Sequence, residues 1–317
     1  MTTFAFVFPG QGSQSVGMLD AWHDHPAVQA TLAEASEALG EDIGRLIHEG
    51  PKETLALTTH TQPVMLVAGV AAYRVWQAEG GAPPAFVAGH SLGEYSALVV
   101  SGVLTLAQAV PLVRLRAQAM QDAVAVGAGA MAAVLGLPAA RVVEVCAQAQ
   151  ASFGAGSHEV VQAANFNDPG QTVISGSKLA VDQACEKLKA AGAKRTLLLP
   201  VSAPFHCPLM QPAAERLRAH LADLVLQPPT IAVINNIDVA QETDPARIRD
   251  ALFRQAYGPV RWVETIERMQ QSGVTHVVEC GPGKVLAGMV KRISPDLQSH
   301  ALFDPATLAD TFAFLKA

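Results

Sequence analysis

A chain of 317 residues, half of them hydrophobic, has enough apolar surface to bury a large core, which excludes an extended scaffold without one. Only 16% of residues are charged and the formal net charge is −6, so no basic field is available to hold a phosphate backbone, and nucleic acid is excluded as a partner. The four cysteines, Cys146, Cys185, Cys207 and Cys280, show neither CxxC spacing nor framework density, which argues against zinc or disulfides and fits a reducing cytoplasm.

Residues 3–8 read as a short buried strand, with no basic segment and cleavable apolar stretch of the secretory kind. The strand runs into Pro9-Gly10-Gln11-Gly12-Ser13-Gln14, a loop of small and amide residues suited to presenting backbone amides. An amphipathic helix is expected over 27–39, and a helix apolar nearly all round, hence buried, over 62–76. A strand over 85–89 turns sharply at His90-Ser91 into a helix over 92–100, and a second helix follows over 106–122. The charge-free stretch 95–113 approaches membrane-spanning length, but Ser96, Ser101, Gly102, Thr105, Gln108 and Pro111 make it a buried helix and its successor, so no membrane association is expected. This alternation of strand and helix implies a parallel sheet with helices on both faces.

Near Gly127 a glycine- and alanine-rich hinge changes the rhythm. Strand 131–137, helix 138–149, strands 160–165 and 172–175, helix 179–190 and strand 195–201 give the split βαβ order of a ferredoxin-like unit. After His206 the pattern resumes with helix 212–224, strand 231–235, helices 244–257 and 260–272, strand 274–279 and helix 285–293. The expected fold is therefore α/β, a large α/β-hydrolase-like catalytic domain made of 1–126 and 202–317, with 127–201 inserted as a small ferredoxin-like subdomain.

Gly89-His90-Ser91-Leu92-Gly93 matches G-x-S-x-G where a strand is expected to meet a helix. A sharp turn there exposes the serine oxygen, the flanking glycines remove side chains that would block it, and the helix N-terminus favours a developing negative charge. The plainer alternative is a serine that merely caps its helix. A serine nucleophile needs a base. Of ten histidines, His206 stands out, since it follows the last subdomain strand where the chain re-enters the larger domain, and such junctions form clefts. No acid adjoins it, and spacing does not select Asp168, Asp182 or Asp238, so a backbone carbonyl is an equal candidate for the third member. A thiol mechanism through Cys207 is disfavoured, because neighbouring residues seldom face each other productively.

Seven segments in order, Phe8-Pro9-Gly10-Gln11-Gly12-Ser13-Gln14, Thr61-Gln62-Pro63, Gly89-His90-Ser91-Leu92-Gly93-Glu94-Tyr95, Ala164-Asn165-Phe166-Asn167, Phe205-His206, Asn235-Asn236-Ile237-Asp238 and Gly281-Pro282-Gly283-Lys284, resemble the malonyl-CoA:acyl carrier protein transacylases of fatty acid synthesis over practically the whole chain. The resemblance implies a malonyl-serine cycle in which Ser91 is the nucleophile, His206 its base, and the Gln255 main-chain carbonyl the group that orients His206. It assigns the oxyanion donors to the backbone N–H groups of Gln11 and Leu92. A malonyl carboxylate needs a cation, best an arginine fork, and of Arg114 and Arg116 on the same helix the resemblance selects Arg116. Phe205, found in similar malonyl-specific domains, is expected to exclude methylmalonyl, and Gln62 and Asn165 to line the site. The implied partners are malonyl-CoA and holo acyl carrier protein. An acidic carrier needs basic spots, for which the pairs Lys194-Arg195 and Lys291-Arg292 are candidates, though a solvated surface explains them equally. No metal or redox cofactor is expected, and a monomer is the default.

Overall fold

The side-chain alternation along the first strand decides how the molecule is layered. The structure, a computed structural model, describes residues 2–154 and 156–316. Among these residues lie β1 (Phe4–Phe8), β2 (Phe86–Gly89), β3 (Gly129–Leu135), β4 (Val161–Asp168), β5 (Gln171–Ser177), β6 (Arg195–Leu198), β7 (Ala232–Val233), β8 (His276–Cys280) and β9 (Gln298–Leu302), arranged in two sheets. β1 is buried at every position, because Phe4, Phe6 and Phe8 enter one core while Ala5 and Val7 enter another. The first core is shared with helices Pro26–Leu39, Thr58–Ala78 and Leu106–Asp122, the second with helices Trp262–Gln271 and Val285–Ile293.

The first sheet has the order β7-β2-β1-β8-β9, and every pairing in it is parallel. The second has the order β4-β5-β3-β6, and every pairing is antiparallel. One face of this second sheet, with Ala132, Val134, Val161 and Ile174, is covered by helices Ala139–Ala151 and Lys178–Ala190. Met131, Ala133, Ala164 and Val173 belong instead to the core of the parallel sheet. The α/β class and the parallel sheet thus agree with the sequence reading, and a separate antiparallel sheet occupies 129–198.

Three differences have physical reasons. The buried helix begins at Thr58, four residues early, because polar Thr58 and Thr61 are buried in its first turn, where Thr61 Oγ1 donates to the Leu57 oxygen at 3.1 Å, and Pro63 lies inside the helix. The expected strand 231–235 shrinks to Ala232–Val233, which pairs only with Phe86 and Val87 at the sheet edge. Edge strand β9 carries no strong apolar signal, because Gln298, Ser299 and His300 are polar and have neighbours on one side only, and the sequence reading also stops short of the closing helix Pro305–Phe314. That helix returns to the core through Phe312, whose ring stacks on Trp76 at 4.5 Å.

Candidate active site

Ser91 sits between β2 and helix Gly93–Val100 with φ of 53°, a left-handed conformation that only a well-braced turn sustains in a residue other than glycine. Two features brace it. Glycines allow the close approach: a Cβ on Gly89 would lie 1.8 Å from the Gly93 carbonyl carbon, and one on Gly93 2.0 Å from the Phe8 oxygen. Asn236 then clamps the turn, its Oδ1 accepting from the Ser91 N–H at 2.8 Å and its Nδ2 donating to the Gly89 oxygen at 2.8 Å.

The Ser91 hydroxyl lies 2.6 Å from His206 Nε2. On the far side of the ring, Nδ1 faces the main-chain oxygens of Gln255 at 3.0 Å and Gly258 at 3.1 Å. Carbonyl oxygens only accept, so Nδ1 carries the proton and the Nε2 lone pair faces the serine hydroxyl. Burial pushes the His206 pKa down to about 3, and the positive charge of Arg116 adds to the effect. The imidazole is therefore neutral at ordinary pH, ready to accept a proton, and held without an acidic third member.

Arg116, 2% exposed, points into the same space. Its Nη1 donates to Gln62 Oε1 at 2.7 Å, and its Nη2 to Gln255 Oε1 at 3.2 Å and to Ser91 Oγ at 3.4 Å. Its guanidinium also lies over the Tyr95 ring at 5.4 Å. The two arginines of this helix are thereby told apart, because Arg114 turns outward and binds the Glu41 carboxylate with two bonds of 2.6 Å.

A cleft of about 130 Å³ opens onto these groups. Gln11, Ser91, Arg116, Phe205 and His206 line it from the parallel-sheet side, and Met131, Asn165, Leu199 and Val201 from the antiparallel-sheet side. The loop carrying Gln11 is pressed against the serine turn, since a Cβ on Gly10 would lie 2.6 Å from the His90 oxygen. Neither the Gln11 nor the Leu92 amide donates to another main-chain oxygen among the described residues. Gln62 does not line the cleft: it is fully buried behind Arg116 and holds it.

Of the basic pairs, Lys194 and Arg195 are exposed where β6 begins, beside exposed Leu197 and Leu198. Arg292 is a correction to a free docking cation, since its Nε donates to the buried Asp168 carboxylate at 2.7 Å. The Cys207 thiol donates to the Pro204 oxygen at 3.1 Å, and burial pushes its pKa up to about 11, leaving little thiolate for catalysis.

Sequence reasoning gave no role to Asn236, Glu94, Asn167 or Gly258. His90 Nε2, for instance, bonds Asn167 Oδ1 at 2.8 Å, tying the serine turn to β4. Glu94 had a readable signal, as a carboxylate in an otherwise apolar helix is seldom buried without partners.

Comparison with known proteins gives the family. A family model described as an acyl transferase domain matches residues 5–305. Over 310 residues, spanning 98% of both chains, the sequence is 53% identical to the malonyl CoA-acyl carrier protein transacylase of Escherichia coli (strain K12). The chain belongs to the malonyl-CoA:acyl carrier protein transacylase family. Two solved structures agree in fold. The acyl-carrier-protein S-malonyltransferase from Burkholderia pseudomallei 1710b is 58% identical with a TM-score of 0.95, all of both chains being covered. A malonyl-transacylase in complex with a type II PKS acyl-carrier protein is 47% identical with a TM-score of 0.95, covering 99% of this chain and all of that one. The acyl transferase match includes both sheets, and with them both walls of the cleft.

Proposed function

We propose that this enzyme moves the malonyl group of malonyl-CoA to the phosphopantetheine thiol of acyl carrier protein by a ping-pong cycle through a malonyl ester on Ser91, supplying the extender unit of fatty acid synthesis. The observation that carries this reading is a serine hydroxyl 2.6 Å from a neutral histidine, with a buried arginine 3.4 Å away. Transfer of malonyl to acyl carrier protein agrees with the activity named in the curated relatives.

In the first half-reaction His206 Nε2 takes the Ser91 proton as Oγ bonds to the thioester carbon. The oxyanion is received by the Gln11 and Leu92 amides, each such donor typically contributing ~3 kcal/mol to lowering the barrier. Collapse breaks the carbon–sulfur bond, and the departing coenzyme A sulfur takes the proton from His206. In the second half-reaction the carrier thiol gives its proton to His206 and attacks the ester. Ser91 then leaves and recovers that proton. No metal or redox cofactor enters any step. Arg116 holds the malonyl carboxylate, whose burial would otherwise be costly. Phe205 limits the room beside the acyl carbon, and Asn165 lines the opposite wall.

We read 127–201 as a ferredoxin-like subdomain inserted in an α/β-hydrolase-like domain of 1–126 and 202–317. Supporting this are the βαββαβ order, the sheet order β6-β3-β5-β4, and a nucleophile on a strand-to-helix turn of a parallel sheet. All groups in the cycle come from one chain, so a monomer suffices, and the exposed pair Lys194-Arg195, at the start of the strand whose far end leads to the cleft at Leu199, is the favoured carrier-docking spot. No described helix is long and apolar enough to cross a membrane. A cytoplasmic setting, where both substrates are made, fits the cycle.

A serine hydrolase is the rival reading. Two carbonyls rather than an acid at His206 Nδ1, with an arginine beside the nucleophile, favour transfer. Initial rates with malonyl-CoA and holo carrier both varied test the point. Parallel reciprocal plots with malonyl-carrier as product are expected; intersecting lines contradict the ping-pong order, and malonate released as fast as coenzyme A favours the hydrolase.

A further inference from the structure

Glu94 stands three residues after Ser91 on the first turn of helix Gly93–Val100 and is 2% exposed. The chemistry above does not use it. Its Oε2 accepts from the Asn236 N–H at 2.9 Å and from Gln255 Nε2 at 3.2 Å. Each donor has a second task. The Asn236 side chain clamps the serine turn through the Ser91 amide and the Gly89 oxygen. Gln255 Nε2 also donates to the Ser91 main-chain oxygen at 2.9 Å, its Oε1 accepts from Arg116, and its own main-chain oxygen accepts from His206.

We propose that Glu94 is a positioning residue for malonyl transfer, its carboxylate holding Gln255 and Asn236 so that Arg116, His206 and Ser91 converge on one acyl group; this rests on the reading of the site as a malonyl transacylase. The reason lies in the Gln255 amide. Its oxygen must face the Arg116 cation and its NH₂ group the serine turn, and the opposite flip would set donor against donor. A cation on one side and an anion on the other fix that choice. The same amide lets the Glu94 charge offset the buried guanidinium, for which the described residues offer no ion-paired carboxylate.

The charged and titratable groups facing Glu94 are few. Arg116 approaches from helix Leu106–Asp122 and Asp238 from the segment after β7, while Glu242 and Asn235 share with it a cavity of about 10 Å³ otherwise walled by apolar side chains. Burial pushes the Glu94 pKa up to about 7, against the lowering effect of the Asn236 amide, Gln255 and Arg116. Acidification through neutrality therefore removes the charge and keeps the shape, which is what Glu94→Gln does at every pH.

The experiment is the rate of Ser91 malonylation by malonyl-CoA, followed by rapid quench and intact mass across pH, in the unmutated enzyme and in Glu94→Gln. In the unmutated enzyme the rate should fall on acidification with an inflection near 7. Glu94→Gln should lack the inflection, acylate on the order of 10- to 100-fold more slowly at alkaline pH, and change KM less than the maximal rate. A Glu94→Gln enzyme with the unmutated rate and inflection overturns the inference. If that variant does not fold, Glu94→Asp, whose shortened carboxylate cannot reach both donors, should slow acylation with KM little changed, and an unmutated rate there overturns the inference equally. An unmutated enzyme that forms no adduct sinks the transacylase reading itself, a result distinct from either of these.

Discussion

His206 and Arg116 are buried side by side, and each changes what the other does. The arginine's charge is the second cause, after burial, of the depressed histidine pKa, and in the proposed cycle a bound malonyl carboxylate would offset that charge. Arg116→Ala should therefore cost ~2–5 kcal/mol in kcat/KM for malonyl-CoA, much less for acetyl-CoA, and raise the His206 pKa measured by NMR. A similar loss for both acyl groups would mean that Arg116 only supports the fold. Phe205 borders the same cleft, and Phe205→Ala should raise methylmalonyl transfer relative to malonyl by roughly 10- to 200-fold, the effect of one added carbon in a fitted pocket, as read in a competition assay. At this scale the serine was legible because its motif is local, and the histidine because it stands at a junction. Asn236 was not, since its bonds to Ser91 and Gly89 span 145 and 147 residues and leave no spacing to read.

Strand β4 is the element that joins the two sheets at the site. Gln162 Nε2 donates to the His206 oxygen at 3.0 Å, the main chain around Asn165 pairs with Val260, and Asn167 receives His90. The segments carrying His206, Val260 and His90 are thus registered against one strand, which explains why its polar residues are buried in an otherwise apolar layer. The strand-to-helix turn is the other decisive element. Gly93→Ala would drive a Cβ to 2.0 Å from the Phe8 oxygen, so the helix must separate from β1. We expect a loss of about 3 kcal/mol in a denaturant titration together with loss of acylation, because the shift displaces the Leu92 amide. A stable Gly93→Ala enzyme of normal activity would contradict the account of the turn. Elements with strong periodicity were legible, whereas β7 and β9 were blurred because an edge strand needs little apolar surface.

For the whole molecule, three buried groups link stability to pH. Glu279 resembles Glu94, with its pKa pushed up to about 7 by burial although it accepts from the Ala287 amide at 2.8 Å. A raised carboxyl favours the fold below its ordinary 4.5, and the benefit is lost as pH rises through 7. His206 acts oppositely, its contribution being present above 6.5 and lost as pH falls toward about 3. Melting temperature should therefore decline from mildly acid pH through neutrality, and Glu279→Gln should flatten that decline without abolishing acyl transfer. The net charge of −6 demands a local basic reception for an acidic carrier, so Lys194→Glu with Arg195→Glu should raise KM for the carrier and weaken its salt dependence. An unchanged KM would move docking elsewhere on the surface.

The central claim is that one serine carries malonyl between two thiols. Intact-protein mass spectrometry after brief mixing with malonyl-CoA, followed by a chase with holo carrier protein, tests it most directly. The account predicts one malonyl group on Ser91, absent in Ser91→Ala and discharged onto the carrier. An adduct on another residue, or one lost only as free malonate, would contradict it.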